Sequence, residues 1–138
     1  MRAVGLDLGS RRIGVATSDS TGTIASPHSV LQRAPSRQDD HAAIAALVAE
    51  LEGDVLVVGL PLSLDGTRGP AARAAAEEVA QLADVLPVLV ETYDERLTTV
   101  TADRSLSQLG LGGQARRRVV DKVAAAVMLQ AWLDRRNR

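Results

Sequence analysis

The 138-residue chain predicts one α/β domain: a five-stranded mixed sheet, its first three strands antiparallel, with helices on both faces. Three observations carry this expectation. Runs at 3–8, 13–18 and 23–30 follow one another through turns too short for a crossover, as in an antiparallel meander. Val55-Leu56-Val57-Val58 is an uninterrupted apolar run, and strands of that kind belong to parallel sheets covered by helices. Apolar residues at helical spacing recur before and after it.

The elements follow in order. Residues 3–8 read Ala-Val-Gly-Leu-Asp-Leu, a strand with Ala3, Gly5 and Asp7 on one face. Gly9–Arg12 is turn material, and Ile13, Val15 and Thr17 share a face of the second strand. Pro27 marks the third strand as an edge. Residues 31–38 read as a loop. Ile44, Leu47, Val48 and Leu51 form the stripe of an amphipathic helix that Gly53-Asp54 stops. After the strand at 55–58 comes a polar loop to Gly69. Pro70 then opens a helix with Ala72, Ala75, Ala76, Val79, Leu82 and Ala83 on its apolar face. Residues 85–90 are the expected fifth strand, 95–107 a helix, and 114–135 the last helix. Gly110, Gly112 and Gly113 give the intervening loop the greatest backbone freedom in the chain.

Composition excludes several chemistries. There is no Cys, hence no disulfide, thiolate nucleophile or thiolate metal site. No run of 18 apolar residues is present, and the first apolar run ends at Asp7, unlike a signal peptide, so cytoplasmic location is expected. Lys122 is the single lysine, which excludes a Gly-Lys-Ser/Thr phosphate loop. Tyr93 and Trp132 are the only aromatics, too few for a base-stacking platform. His28 and His41 read as surface residues.

Charge is unevenly placed. Residues 115–138 hold seven bases against two acids, a net +5, whereas residues 1–114 carry a net −6. A basic segment attracts phosphate backbones and an acidic body attracts cations, although a solvated helix face has the same composition.

Three carboxylates stand out. Asp7 interrupts an apolar strand, where a charge is costly unless it is paired, solvated or bound to metal. Asp121 lies on the same helix face as Ala125, Met128 and Trp132, with Arg117 and Lys122 close enough in sequence to pair with it. Glu95 lies just past the fifth strand, and its spacing from Thr92 also fits a helix capping box. The crossovers can bring all three to one edge of the sheet. Acidic side chains grouped there suit an oxygen-ligated Mg²⁺ or Mn²⁺.

Gly5-Leu6-Asp7-Leu8-Gly9-Ser10-Arg11-Arg12-Ile13-Gly14-Val15-Ala16 resembles the opening of the bacterial YqgF family, Holliday-junction-resolvase-like proteins linked to pre-16S rRNA cleavage. Val58-Gly59-Leu60-Pro61 with Asp65-Gly66-Thr67, Asp94-Glu95-Arg96-Leu97-Thr98-Thr99, and Val120-Asp121-Lys122-Val123-Ala124-Ala125 with Leu129-Gln130 resemble its other motifs, in order. The resemblance covers nearly the whole chain. It implies a ribonuclease H-like fold and a nuclease acting in maturation of the 5′ end of 16S rRNA, with Asp7, Glu95 and Asp121 as catalytic, metal-binding acids. Mg²⁺ or Mn²⁺ would be the cofactor and precursor rRNA or a pre-ribosomal particle the partner, with the chain a monomer or weak homodimer. Arg11, Arg12 and Arg96 are expected at the scissile phosphate, and Arg116, Arg117 and Arg118 farther along the backbone. Two alternatives remain: a resolvase cutting branched DNA with the same acids, and a non-catalytic RNA-binding assembly factor. The opening also resembles sugar-kinase and actin-like ATPases, but those need a second large domain to enclose ATP.

Overall fold

The computed structural model describes residues 1–61, 69–95 and 113–138, with the backbone alone for 113–118. Strands β1 (Ala3–Leu8), β2 (Arg12–Ser18) and β3 (Ala25–Gln32) form the antiparallel meander. Helix α1 (Arg37–Glu50) connects to β4 (Val55–Leu60), α2 (Pro70–Val85) leads to β5 (Leu89–Asp94), and α3 (Gly113–Arg136) ends the chain. β4 runs parallel to both β1 and β5, so the sheet order is β3-β2-β1-β4-β5.

The two-residue period of the strands sorts the core into two layers. Val4, Leu6, Ile13, Val15, Leu56 and Val58 pack with Ile44 and Val48 of α1 and Val79 and Leu82 of α2. Ala3, Ala16, Val55 and Val57 pack on the other face with Ala125, Met128, Leu129, Trp132 and Leu133 of α3. All six residues of β4 are buried. Each Val or Leu fully buried there contributes about 1.5–3 kcal/mol.

Small residues on the second face bring α3 close to the sheet. A Cβ at Gly5 would stand 3.0 Å from the Leu129 Cβ, and one at Gly14 would overlap the Asp121 carbonyl oxygen. Gln130 ties α3 to the edge strand: its Oε1 accepts from Ala25 N at 2.8 Å and its Nε2 donates to Thr23 O at 2.9 Å.

Several expected boundaries differ. The fifth strand is Leu89–Asp94 rather than 85–90. Helical spacing continues through Val79, Leu82 and Leu86 into the core, and Leu86, which precedes Pro87, turns extended and ends α2. The third strand begins at Ala25, not residue 23. Asp19 holds the turn before it, its Oδ1 accepting from Thr23 N at 2.8 Å and Ile24 N at 3.1 Å. β3 then runs to Gln32, opposite Arg12, where a loop was expected. Ser36 caps α1, its hydroxyl accepting from Asp39 N at 3.2 Å. Thr92 lies inside β5 opposite Val58, so it caps no helix at Glu95. Of the expected helix at 95–107 only Glu95 is among the described residues, and most of the glycine loop falls outside them. Among the described residues, no helix is long and apolar enough to cross a membrane.

Candidate active site

The acidic edge is built from neighbouring strands. Ala3, Gly5 and Asp7 alternate along β1 toward the α3 side, and Asp7 pairs with Gly14 of β2. The backbone of Asp121 lies over Gly14. On the other flank of β1, a Cβ at Gly59 of β4 would overlap the Glu95 carboxyl. Asp7, Glu95 and Asp121 therefore share one face of the sheet, toward the C-terminal ends of β1 and β4, where open α/β sheets bind their ligands.

Within this edge the structure makes a pair and a separate ion pair. Glu95 shares a hydrogen bond with Asp7, and its pKa is pushed up to about 9. Burial is the largest cause, followed by the Asp7 hydrogen bond and charge and then by the charge of Asp94. Asp121 Oδ2 accepts from Arg12 Nε at 2.6 Å. Both side chains are about one-fifth exposed, at 23% and 19%. Arg12 reaches Asp121 because it stands two residues from Gly14 on the same strand face.

The expected meeting of three carboxylates at one point is thus only partly realised. Among the described residues, no three His, Asp or Glu side chains group closely enough to hold a metal ion. Like charges repel, and the Arg12 guanidinium gives Asp121 a partner of its own. The donor chemistry still suits a hard divalent cation: carboxylate oxygens alone, two of them on acids crowded enough to hold a proton between them. Neither histidine belongs to this group. His28 is exposed on β3, and His41, expected at the surface, is buried and bonded to Glu78 at 2.9 Å.

The arginines divide by position. Arg11 is exposed at the β1–β2 turn beside Arg12. Arg96 and the side chains of Arg116, Arg117 and Arg118 lie outside the described residues. The last three occupy α3 positions three to five residues before Asp121.

One polar cluster was not anticipated. Arg33, Asp40, His41 and Glu78 are joined on the α1–α2 side of the sheet. Its signal was present in the sequence, because Glu78 falls among Ala75, Val79 and Leu82 on the apolar face of α2.

The chain also matches known proteins along its length. The model of a family described as "RuvX: Holliday junction resolvase" matches residues 1–135. A protein of Mycobacterium sp. (strain KMS) is 46% identical over 137 residues, covering 99% of this chain and 81% of its own. One of Anaeromyxobacter sp. (strain Fw109-5) is 46% identical over 137 residues, covering 99% of each. Both carry the name "Putative pre-16S rRNA nuclease". Among solved structures, T. thermophilus RuvC in complex with a Holliday junction substrate aligns with a TM-score of 0.61 at 18% identity, covering 99% of this chain and 96% of that one. That likeness is one of fold, the ribonuclease H-like arrangement expected from the motifs. With the family match spanning almost every residue and relatives near half identity, the chain belongs to the RuvX (YqgF) family.

Proposed function

We propose that this chain is a divalent-cation-dependent nuclease that hydrolyses phosphodiester bonds of precursor 16S rRNA at its 5′ end. The observation that carries the reading is the Asp7–Glu95 carboxyl pair at the C-terminal edge of the central strands, with the Glu95 pKa raised to about 9. The name shared by the relatives supports the substrate.

Asp7, Glu95 and Asp121 are the residues that would hold Mg²⁺ or Mn²⁺, which when bound lowers the pKa of a water and offsets charge on the phosphate. The chain's own groups do the rest. Glu95 keeps a proton at neutral pH while it is crowded by Asp7 and Asp94, and positive charge beside it favours the carboxylate. Arg12 neutralises Asp121 and, once released, presents its guanidinium to a phosphate oxygen. Exposed Arg11 offers a second contact at the same turn. Arg96 and Arg116–Arg118 extend the phosphate track. Hydrolysis leaves a 5′ phosphate and a 3′ hydroxyl. The setting is the cytoplasm, with the chain acting as a monomer or weak homodimer on structured RNA.

The family description favours a second reading, a DNA junction resolvase. That activity needs two active sites facing a four-way junction, hence a dimer. The deciding experiment compares wild type with Asp7→Asn on precursor 16S rRNA and on a four-way DNA junction, with Mg²⁺ or Mn²⁺. Wild type is expected to cut the RNA, and Asp7→Asn to lose about 10²- to 10³-fold in rate with RNA affinity kept. Paired junction cuts by a dimer, with the RNA left intact, would favour the resolvase. RNA binding without cleavage of either substrate would indicate a non-catalytic assembly factor. Cleavage retained in Asp7→Asn would leave the reading without its chemical centre.

A further inference from the structure

We propose that Arg33 is a positioning residue for the active-site turn at residues 9–11; the inference rests on the nuclease reading for its effect on rate. Arg33 holds both ends of that turn. Its backbone N–H donates to Arg11 O at 2.9 Å, and its Nε donates to Gly9 O at 2.9 Å. The turn closes on itself through Gly9 N donating to Arg12 O at 2.9 Å. Residue 33 therefore fixes a short loop that starts two residues after Asp7 and ends at Arg12, the partner of Asp121.

The guanidinium is itself held from the far side of the sheet. Nη1 donates to Glu78 Oε2 at 2.6 Å and Asp40 Oδ2 at 3.1 Å, while Nη2 donates to Glu78 Oε1 at 2.9 Å. Asp40 Oδ1 accepts from Ala34 N at 2.7 Å, and Glu78 Oε2 also meets His41 Nε2 at 2.9 Å. The Asp40 and Glu78 side chains are 5% and 3% exposed and that of Arg33 17%. Each carboxylate has several partners, and the fork has no slack.

On this side, Gly9 and Ser10 line a cavity of about 390 Å³ together with Arg33, Asp40 and Glu78. Buried ion networks stabilise a fold less than apolar residues of the same volume. What this one supplies is a fixed direction for a single N–H. The helices α1 and α2 are linked through Arg33 to the turn that leads into Arg12, whose side chain meets Asp121 on the opposite face. Lysine keeps the charge but cannot address Glu78, Asp40 and the Gly9 carbonyl together.

The test compares Arg33→Lys with Val48→Ala, a core variant of α1, well below the Tm of each. Arg33→Lys is expected to cleave about 10- to 100-fold more slowly at saturating RNA. Its RNA affinity should stay within about twofold of wild type. Exchange of the Gly9 amide hydrogen should speed up by about tenfold or more. Val48→Ala should lower Tm with neither effect. Arg33→Lys cleaving as fast as Val48→Ala, or leaving Gly9 exchange unchanged, would overturn the proposal. If Arg33→Lys does not fold, Glu78→Gln is read by the same criteria. If wild type cuts no RNA, the nuclease reading fails, and Gly9 exchange alone decides whether Arg33 holds the turn.

Discussion

The carboxyl of Glu95 lies over Gly59 and shares a hydrogen bond with Asp7, so two acids occupy a space that favours one negative charge. A carboxyl whose folded pKa is raised contributes stability fully below its unfolded pKa, and that contribution is lost as pH rises through the folded value. For Glu95 the window runs from about 4.5 to about 9. In metal-free protein, Glu95→Gln is therefore expected to raise stability at pH 8 by about 1 kcal/mol or more, some 4 °C in Tm. The gain should vanish near pH 4, and thermal melts across that range check it. The same variant should lose cleavage. Arg12→Ala strips Asp121 of a charge-assisted hydrogen bond and should cost about 1–2 kcal/mol by denaturant unfolding. Asp7 and Asp121 were legible as acids in apolar patterns. The Arg12–Asp121 bond was not, since it joins residues 109 apart that only the Gly14 contact brings together.

Two glycines separate the roles of helix and strand at this edge. A Cβ at Gly14 meets the backbone of α3, which cannot rotate away, whereas one at Gly59 meets the flexible side chain of Glu95. Gly14→Ala should therefore destabilise by about 3 kcal/mol or more. Gly59→Ala should unfold near the wild-type denaturant midpoint yet cleave about 10- to 100-fold more slowly, because the carboxyl is displaced. Paired unfolding and single-turnover measurements distinguish the two. Element boundaries show where periodicity misleads. Residues 85–90 carry enough apolar side chains to read as a strand, but Leu86 belongs to the helical series that fills the α1–α2 layer. Only Pro87 marks where that series must stop. The buried run at 55–58 read as a strand because it is short and bounded by Gly53-Asp54 and Gly59-Leu60-Pro61.

At the scale of the whole molecule, an acidic body carries a basic last helix. Replacing Arg116, Arg117 and Arg118 together by Ala should weaken RNA binding and reduce the slope of log affinity against log salt by about 2. The cleavage rate of bound RNA should be preserved, which filter binding over a salt series and single-turnover kinetics would show. The strand order was readable because short turns join the first three strands and the buried run at 55–58 calls for parallel neighbours. The cluster of Arg33, Asp40, His41 and Glu78 was not, because its members come from two helices and the segment between β3 and α1, and only Glu78 breaks a pattern. The acidic edge is most directly probed by titrating Mn²⁺ into wild type and Asp7→Asn while following the free-ion signal by electron paramagnetic resonance. Wild type should bind Mn²⁺, and Asp7→Asn should bind it about tenfold or more weakly. Equal Mn²⁺ affinity in the two proteins, or none in either, is incompatible with a cation site built on Asp7.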